Sequence, residues 1–129
     1  EHKETRLLNL WLKQYHSESL QWKRVRLGWA ATPDEARLYM VAMRWADAIF
    51  IENNEVNIVE AKLRPDAGAI GQLKQYKDLF KLTPEFSAYK DYQINLILLA
   101  NEVVLDIVEL CSKEGIKYEF YQFPEQLTE

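Results

Sequence analysis

Apolar positions near the start of the chain recur at spacings of three and four. Leu8, Trp11 and Tyr15 form a stripe that predicts a helix over 3–16, and Glu4 continues it one turn earlier. Residues Leu20 to Trp29 alternate instead, which predicts a strand with Val25, Leu27 and Trp29 on one face and Trp22, Arg24 and Arg26 on the other. Thr32-Pro33-Asp34-Glu35 combines a cap, a proline at the first helical position and a glutamate three residues after the cap. This predicts a short helix to about Met43, with a strand over Leu38 to Val41 as the competing reading. Residues 44–52 and 55–62 are rich in Ile, Val and Phe and are joined by Asn53-Asn54, two residues that tolerate positive φ, so they read as a hairpin. Asp66 can cap a helix from Ala67 to Leu82 that ends before Pro84.

After a loop, Gln93 to Ala100 is almost continuously apolar, as a strand covered on both faces should be. A helix over 102–114 ending at Gly115 and a strand from Ile116 to Tyr121 complete the chain. Two strand–helix–strand crossovers therefore follow the hairpin, and right-handed connection makes those strands parallel. The expected architecture is an α/β fold with a mixed central sheet flanked by helices, organised as one domain over 1–129. Such a unit is also compatible with excision from a larger protein.

The 129 residues are 48% apolar and 12% aromatic, enough for an ordinary packed core and too much for intrinsic disorder. A single Cys excludes a disulfide framework and suits a reducing intracellular compartment such as the cytoplasm. The longest apolar run, Ile94 to Ala100, is far short of the roughly 20 residues that cross a bilayer. The opening residues contain no charged-then-apolar leader. Net charge is −4, which argues against coating of nucleic acid by bulk electrostatics. Its distribution is uneven: residues 23–44 and 62–81 each carry +3, whereas 102–129 carries −5. A polyanion would sit on the first two stretches and avoid the third.

With Asn53 and Asn54 as turn residues, Glu52 faces Glu55, Ile51 faces Val56, and Asp47 faces Glu60. Directly opposed like charges destabilise a sheet, so a compensating cation is expected. The period of two adds Lys62 beyond Glu60 on the same face, where apolar Ile49, Ile51, Ile58 and Val56 give way to the rim. Hard divalent cations favour such oxygen clusters, and Mg²⁺ commonly takes only one or two protein carboxylates. A cation there could lower the pKa of a water and neutralise charge on a phosphodiester, with Lys62 orienting the water or stabilising the transition state. Taken alone, Glu-x-Lys is ordinarily a surface salt bridge.

The wider pattern changes that weighting. Arg44-Trp45-Ala46-Asp47, twelve intervening residues, Glu60-Ala61-Lys62, and then Gln72-Leu73-Lys74-Gln75-Tyr76 on the next helix resemble the PD-(D/E)xK nuclease superfamily. The Gln72 and Tyr76 pair is similar to the Gln-xxx-Tyr motif of its RecB-like and exonuclease branches. The resemblance implies a restriction-endonuclease-like core that binds Mg²⁺ or Mn²⁺ through Asp47, Glu60 and the carbonyl of Ala61. It further implies that Lys62 is the catalytic lysine and that Gln72 and Tyr76 contact the nucleic-acid backbone. Ala46 stands where many members carry Pro. For the first-helix acid of many members, Glu4 is the candidate and Glu18 the alternative.

Arg44, Arg64, Lys74 and Lys77 are candidate phosphate contacts, with Lys81 on the same exposed helix face as the last two. Trp22, Trp29 and Trp45 are candidate base-stacking residues, with core packing the better expectation for at least two of them. His2 and His16 lack a spaced metal-ligand partner, Cys111 falls on an apolar stripe with Val104, Ile107 and Val108, and Gly68 and Gly71 suit close approach of the helix to the sheet or to a nucleic-acid strand.

The leading reading is a Mg²⁺- or Mn²⁺-dependent nuclease acting on DNA, with RNA and both endo- and exonucleolytic modes open. The alternatives are a non-catalytic module that keeps the fold for nucleic-acid binding or assembly, and a dimeric junction-resolving enzyme. A minimal core of this kind would borrow recognition from a larger complex or from copies of itself.

Overall fold

The computed structural model of the chain describes residues 2–28, 34 and 44–127. The short helix expected over 33–43 and the Trp29 end of the first strand lie outside the described residues. The elements are α1 (His2–Tyr15), β1 (Leu20–Leu27), β2 (Arg44–Glu52), β3 (Glu55–Lys62), α2 (Ala67–Phe80), β4 (Gln93–Ala100), α3 (Leu105–Glu114) and β5 (Ile116–Phe120). A 3₁₀ turn over Pro84–Tyr89 precedes β4, and another over Pro124–Gln126 follows β5.

The five strands form one sheet in the order β1-β2-β3-β4-β5. The pairs β1–β2 and β2–β3 are antiparallel, and β3–β4 and β4–β5 are parallel. Both expected crossovers are therefore present. Because the two run in the same direction across the sheet with the same hand, they place α2 and α3 on one face. There Ile49, Val56, Ile58, Leu96 and Leu98 pack against Ile70, Leu73, Tyr76, Ile107 and Cys111. On the other face α1 packs Leu7, Leu8, Trp11 and Leu12 onto Ala48, Phe50, Val59 and Ile97, with Tyr121 and Phe123 closing that layer. Among the described residues no helix is long and apolar enough to cross a membrane.

The hairpin register is the expected one, running from Glu52↔Glu55 to Ala48↔Val59. Asn53 and Asn54 adopt φ of 54° and 61°, the paired positive values of a turn whose twist matches its strands. Asp66 caps α2 as expected, its carboxylate accepting the Gly68 N–H at 3.0 Å. Gly115 ends α3 with φ of 71°.

Several expectations are corrected. Tyr15 is 57% exposed, because the buried stripe of α1 runs through Leu7, Leu8, Trp11 and Leu12. The helix α2 stops at Phe80, and the stretch expected as a loop folds into the 3₁₀ turn that stacks Phe86 on Phe80 and against Trp22. The helix α3 starts at Leu105 rather than 102, because the Tyr118 hydroxyl donates to the Glu102 carbonyl and accepts the Val104 N–H, holding that segment as a turn. Neither glycine of α2 serves close packing on the sheet. A Cβ at Gly71 would meet nothing within 4 Å, and one at Gly68 would meet the Asp66 capping oxygen at 3.2 Å.

The two faces of β1 also depart from simple alternation. Trp22 packs on the α2 side together with Val25 and Leu27 rather than opposite them. The switch occurs at Arg24, which has φ of 53° and interrupts the ladder between Lys23↔Ala48 and Val25↔Ala46.

Replacing Asp66 by Ala should lower the unfolding free energy by about 1 kcal/mol through loss of the α2 cap, while Asp66→Asn should retain most of it. Urea unfolding of the three proteins followed by circular dichroism checks this; equal midpoints would remove the cap from the account.

Candidate active site

The antiparallel β2–β3 ladder stops at Ala48↔Val59, one residue before Asp47 and Glu60. Beyond it the Asp47 carboxylate replaces a strand carbonyl, accepting the Ala61 N–H at 2.7 Å. The side chain is thereby fixed to the partner strand at the rim where the parallel strands end. Glu60 is 5% exposed and lies on the α2 side, where its Oε1 is 3.0 Å from the Tyr76 hydroxyl. Lys62, two residues on, is partly exposed and places its ammonium 3.5 Å from the other Glu60 oxygen. Asp47, Glu60, Ala61, Lys62 and Tyr76 are thus brought into one continuous cluster.

Glu4 reaches the same rim from the first turn of α1. Its Oε2 accepts the Leu63 N–H at 3.4 Å, and it lines a cleft of about 280 Å³ together with Asp47. Glu18 is exposed in the turn after α1. That turn lies at the hairpin end of the sheet, where His16 contacts Glu52, so Glu18 is remote from Asp47. Of the two first-helix candidates, only Glu4 adjoins the pair.

Electrostatics mark this cluster as strained. Burial pushes the Asp47 carboxyl above its ordinary value; the Ala61 N–H and the cations Lys62 and Arg24 oppose the shift, and Glu4 adds to it. Burial first, and the Asp47 charge second, raise Glu60 from 4.5 to about 7, against the Tyr76 hydrogen bond and Lys62. Tyr76 is itself pushed up by burial and by Glu60. Its hydroxyl lies 3.0 Å from both Glu60 Oε1 and the Trp45 carbonyl oxygen, although it carries only one hydrogen. That one hydrogen is donated to the Glu60 carboxyl oxygen or to the Trp45 carbonyl, one at a time.

The donor chemistry fits a hard divalent cation. Two oxygen ligands at excess negative potential, with the Ala61 carbonyl between Glu60 and Lys62, are what Mg²⁺ or Mn²⁺ accepts while leaving positions for water and phosphate. Among the described residues no group of three or more His, Cys, Asp or Glu side chains is placed to hold a metal ion, so the protein side chains at this site are the two carboxylates. His16 is instead engaged with Glu52, its Nδ1 3.0 Å from one carboxylate oxygen, and Cys111 is buried in the core.

The remaining sequence candidates surround the cluster unevenly. Gln72 is half-buried one turn before Tyr76 on α2, and Arg44 is half-buried at the start of β2. Lys77 and Lys81 are exposed. Arg64 pairs with Glu102 at 2.8 Å and Lys74 with Glu114 at 2.7 Å, so a phosphate must compete with an internal carboxylate at each. Trp22 is a core contact, whereas Trp45 is 53% exposed with the Arg24 guanidinium 5.3 Å from its ring centroid. Sequence reasoning placed Lys23 and Arg24 only in the basic stretch 23–44 and missed Thr5 and Asn9; all four line the cleft beside Glu4 and Asp47. Alternation alone assigned Lys23 and Arg24 to opposite faces.

No family model matches the chain, and no curated protein matches it. Among solved structures it is similar to a repair endonuclease from Pyrococcus abyssi, with a TM-score of 0.59 and 18% identity over 96% of this chain and 48% of that one. It is also similar to EndoMS in a complex with dsDNA, with a TM-score of 0.55 and 17% identity over 92% of this chain and 44% of that one. The chain therefore spans about half the length of these endonucleases and shares their fold.

The raised Glu60 pKa has a definite sign. An unfolded glutamate loses its proton near 4.5, whereas folded Glu60 keeps it to about 7. The metal-free fold is therefore favoured at low pH and loses stability as pH rises from 4.5 to about 7. Glu60→Gln should flatten that slope and raise the melting temperature at pH 8 in EDTA. Thermal melts across pH provide the check; an unchanged slope would place the titrating group elsewhere.

Proposed function

We propose that the protein is a divalent-metal-dependent nuclease of the PD-(D/E)xK type that hydrolyses phosphodiester bonds in DNA. The observation that carries the reading is the juxtaposition of Asp47, bonded to the Ala61 N–H, with buried Glu60 and its Lys62 partner. A fold shared with a repair endonuclease and with a protein in complex with dsDNA supports DNA as the substrate. The Gln72 and Tyr76 spacing supports the RecB-like branch.

Asp47, Glu60 and the Ala61 carbonyl would hold Mg²⁺ or Mn²⁺, with Glu4 close enough to bind its waters. When bound, such a cation lowers the proton affinity of water and neutralises charge on the phosphodiester. The chain supplies the rest. Asp47 is held in place by the Ala61 amide, so its carboxylate is preorganised. Tyr76 fixes the rotamer of Glu60 from the helical side of the sheet and anchors it to the Trp45 carbonyl. The Lys62 ammonium, 3.5 Å from Glu60 at this rim, would be placed to hydrogen-bond a water or the charge developing on phosphoryl oxygens. Gln72, Arg44 and Lys77 lie on the elements flanking this rim and are suited to strand contact. Arg64 and Lys74 can join them by exchanging their carboxylate partners for phosphates.

Asp47→Ala should abolish cleavage, and Lys62→Ala should reduce it by about a thousandfold, with folding intact by circular dichroism. The assay is digestion of single-stranded, linear, circular and branched DNA in Mg²⁺, Mn²⁺ or EDTA. Cleavage retained by both variants would reject the assigned site. Absence of wild-type cleavage together with absence of Mn²⁺ binding by calorimetry would favour the non-catalytic module.

A further inference from the structure

Neighbouring residues of a strand normally point to opposite faces of the sheet. Lys23 and Arg24 do not. Both line the cleft of about 280 Å³ that is completed by Thr5, Asn9, Glu4 and Asp47. The reason is the backbone of Arg24, whose φ of 53° keeps its side chain on the same side as that of Lys23. Arginine has no side-chain chemistry that favours this conformation, unlike Gly, Asn or Asp, so the strand carries a local conformational cost at this residue. The guanidinium that results lies over the exposed Trp45 ring, which restricts its orientation. Both cations are exposed to solvent; Arg24 acts on the Asp47 charge, and Lys23 shares the cleft with it.

We propose that Lys23 and Arg24, with the Thr5 hydroxyl and the Asn9 amide, form a phosphate subsite for the nucleic-acid strand, on the α1 side of Asp47. This deepens the nuclease reading and rests on it. The cleft is polar and cationic on its β1 wall and acidic on the wall shared with the candidate metal centre. A phosphate seated against Lys23 and Arg24 therefore lies beside the phosphodiester to be cut rather than on top of the acids. The arginine fork suits two phosphate oxygens, and Lys23 adds a point charge. The strand would be gripped on the α1 side by this pair and on the α2 side by Gln72, with the Asp47–Glu60 centre between them.

The test compares Arg24→Gly and Lys23→Gln with the parent protein. Glycine accepts positive φ, so Arg24→Gly removes the guanidinium without forcing the strand out of its conformation. Lys23→Gln removes a charge from an exposed position. Fluorescence anisotropy with a labelled oligonucleotide, in Mg²⁺ and on a Lys62→Ala background, gives affinity as a function of salt. Each variant should bind about tenfold more weakly, with a slope of log K against log salt shallower by about 0.7 to 0.9 for the lost phosphate contact. Unchanged affinity and slope in both variants, with wild-type protein still cleaving DNA, would overturn the subsite and leave the nuclease reading standing. Weaker binding with an unchanged slope would overturn it too, since that outcome reports a structural role. If the parent neither binds nor cleaves, the nuclease reading fails and the subsite fails with it.

Discussion

The bond from the Ala61 amide to the Asp47 carboxylate, 2.7 Å long, is the contact on which the site depends. It forms where the β2–β3 ladder ends, so a side chain completes what backbone pairing began. Its effect is to tie an acid at the beginning of one strand to the end of its neighbour. Glu60 is then held in the same corner by the Tyr76 hydroxyl, and Lys62 closes it from the solvent side. Two acids placed this close weaken each other's acidity in a buried setting, and one ammonium does not fully offset that. On the proposed reading, a bound cation would supply the compensating charge.

The scaffold explains why that corner is accessible. Parallel β3, β4 and β5 end at one rim, which also receives Glu4 from the first turn of α1, through the Leu63 amide. The helices on opposite faces therefore meet the site from two directions. From α2 comes Tyr76, buried with its hydroxyl 3.0 Å from Glu60 Oε1, and one turn earlier Gln72. From the α1 side comes a cleft whose cations belong to β1. Between them the strand ends are the natural place for a ligand in an α/β sheet.

Much of this was legible in the sequence, for identifiable reasons. The hairpin was readable because Asn53-Asn54 is itself a turn signal, and with the turn placed, the register as far as Ala48↔Val59 followed by counting; Asp47 and Glu60, expected opposite each other, lie one residue beyond that ladder, and Asp47 bonds the Ala61 amide instead. The crossovers were readable because Gln93 to Ala100, interrupted only by Asn95 after its first residue, has the nearly continuous apolar character of a central strand. Cys111 in the core and the Asp66 cap followed from local pattern in the same way. What failed depended on distant contacts. Nothing local to residues 102–104 announces that Tyr118 will hold them out of α3, and nothing in 84–89 announces that Phe86 will reach Phe80 and Trp22. Trp22 was misplaced because the positive φ of Arg24 resets the alternation of β1, and arginine is a residue type that gives no sign of it. The candidate site was therefore readable in its acids, its lysine and the positive charge of 23–44, but not in the turn of backbone that puts Lys23 and Arg24 on one side.

The central claim is that Asp47 and Glu60 share one divalent cation. Anomalous diffraction from crystals equilibrated with Mn²⁺ tests it most directly. The account predicts a single strong peak within coordination distance, about 2.1–2.3 Å, of oxygens from both carboxylates and of the Ala61 carbonyl. A peak held by other residues, or none at saturating Mn²⁺, would contradict it.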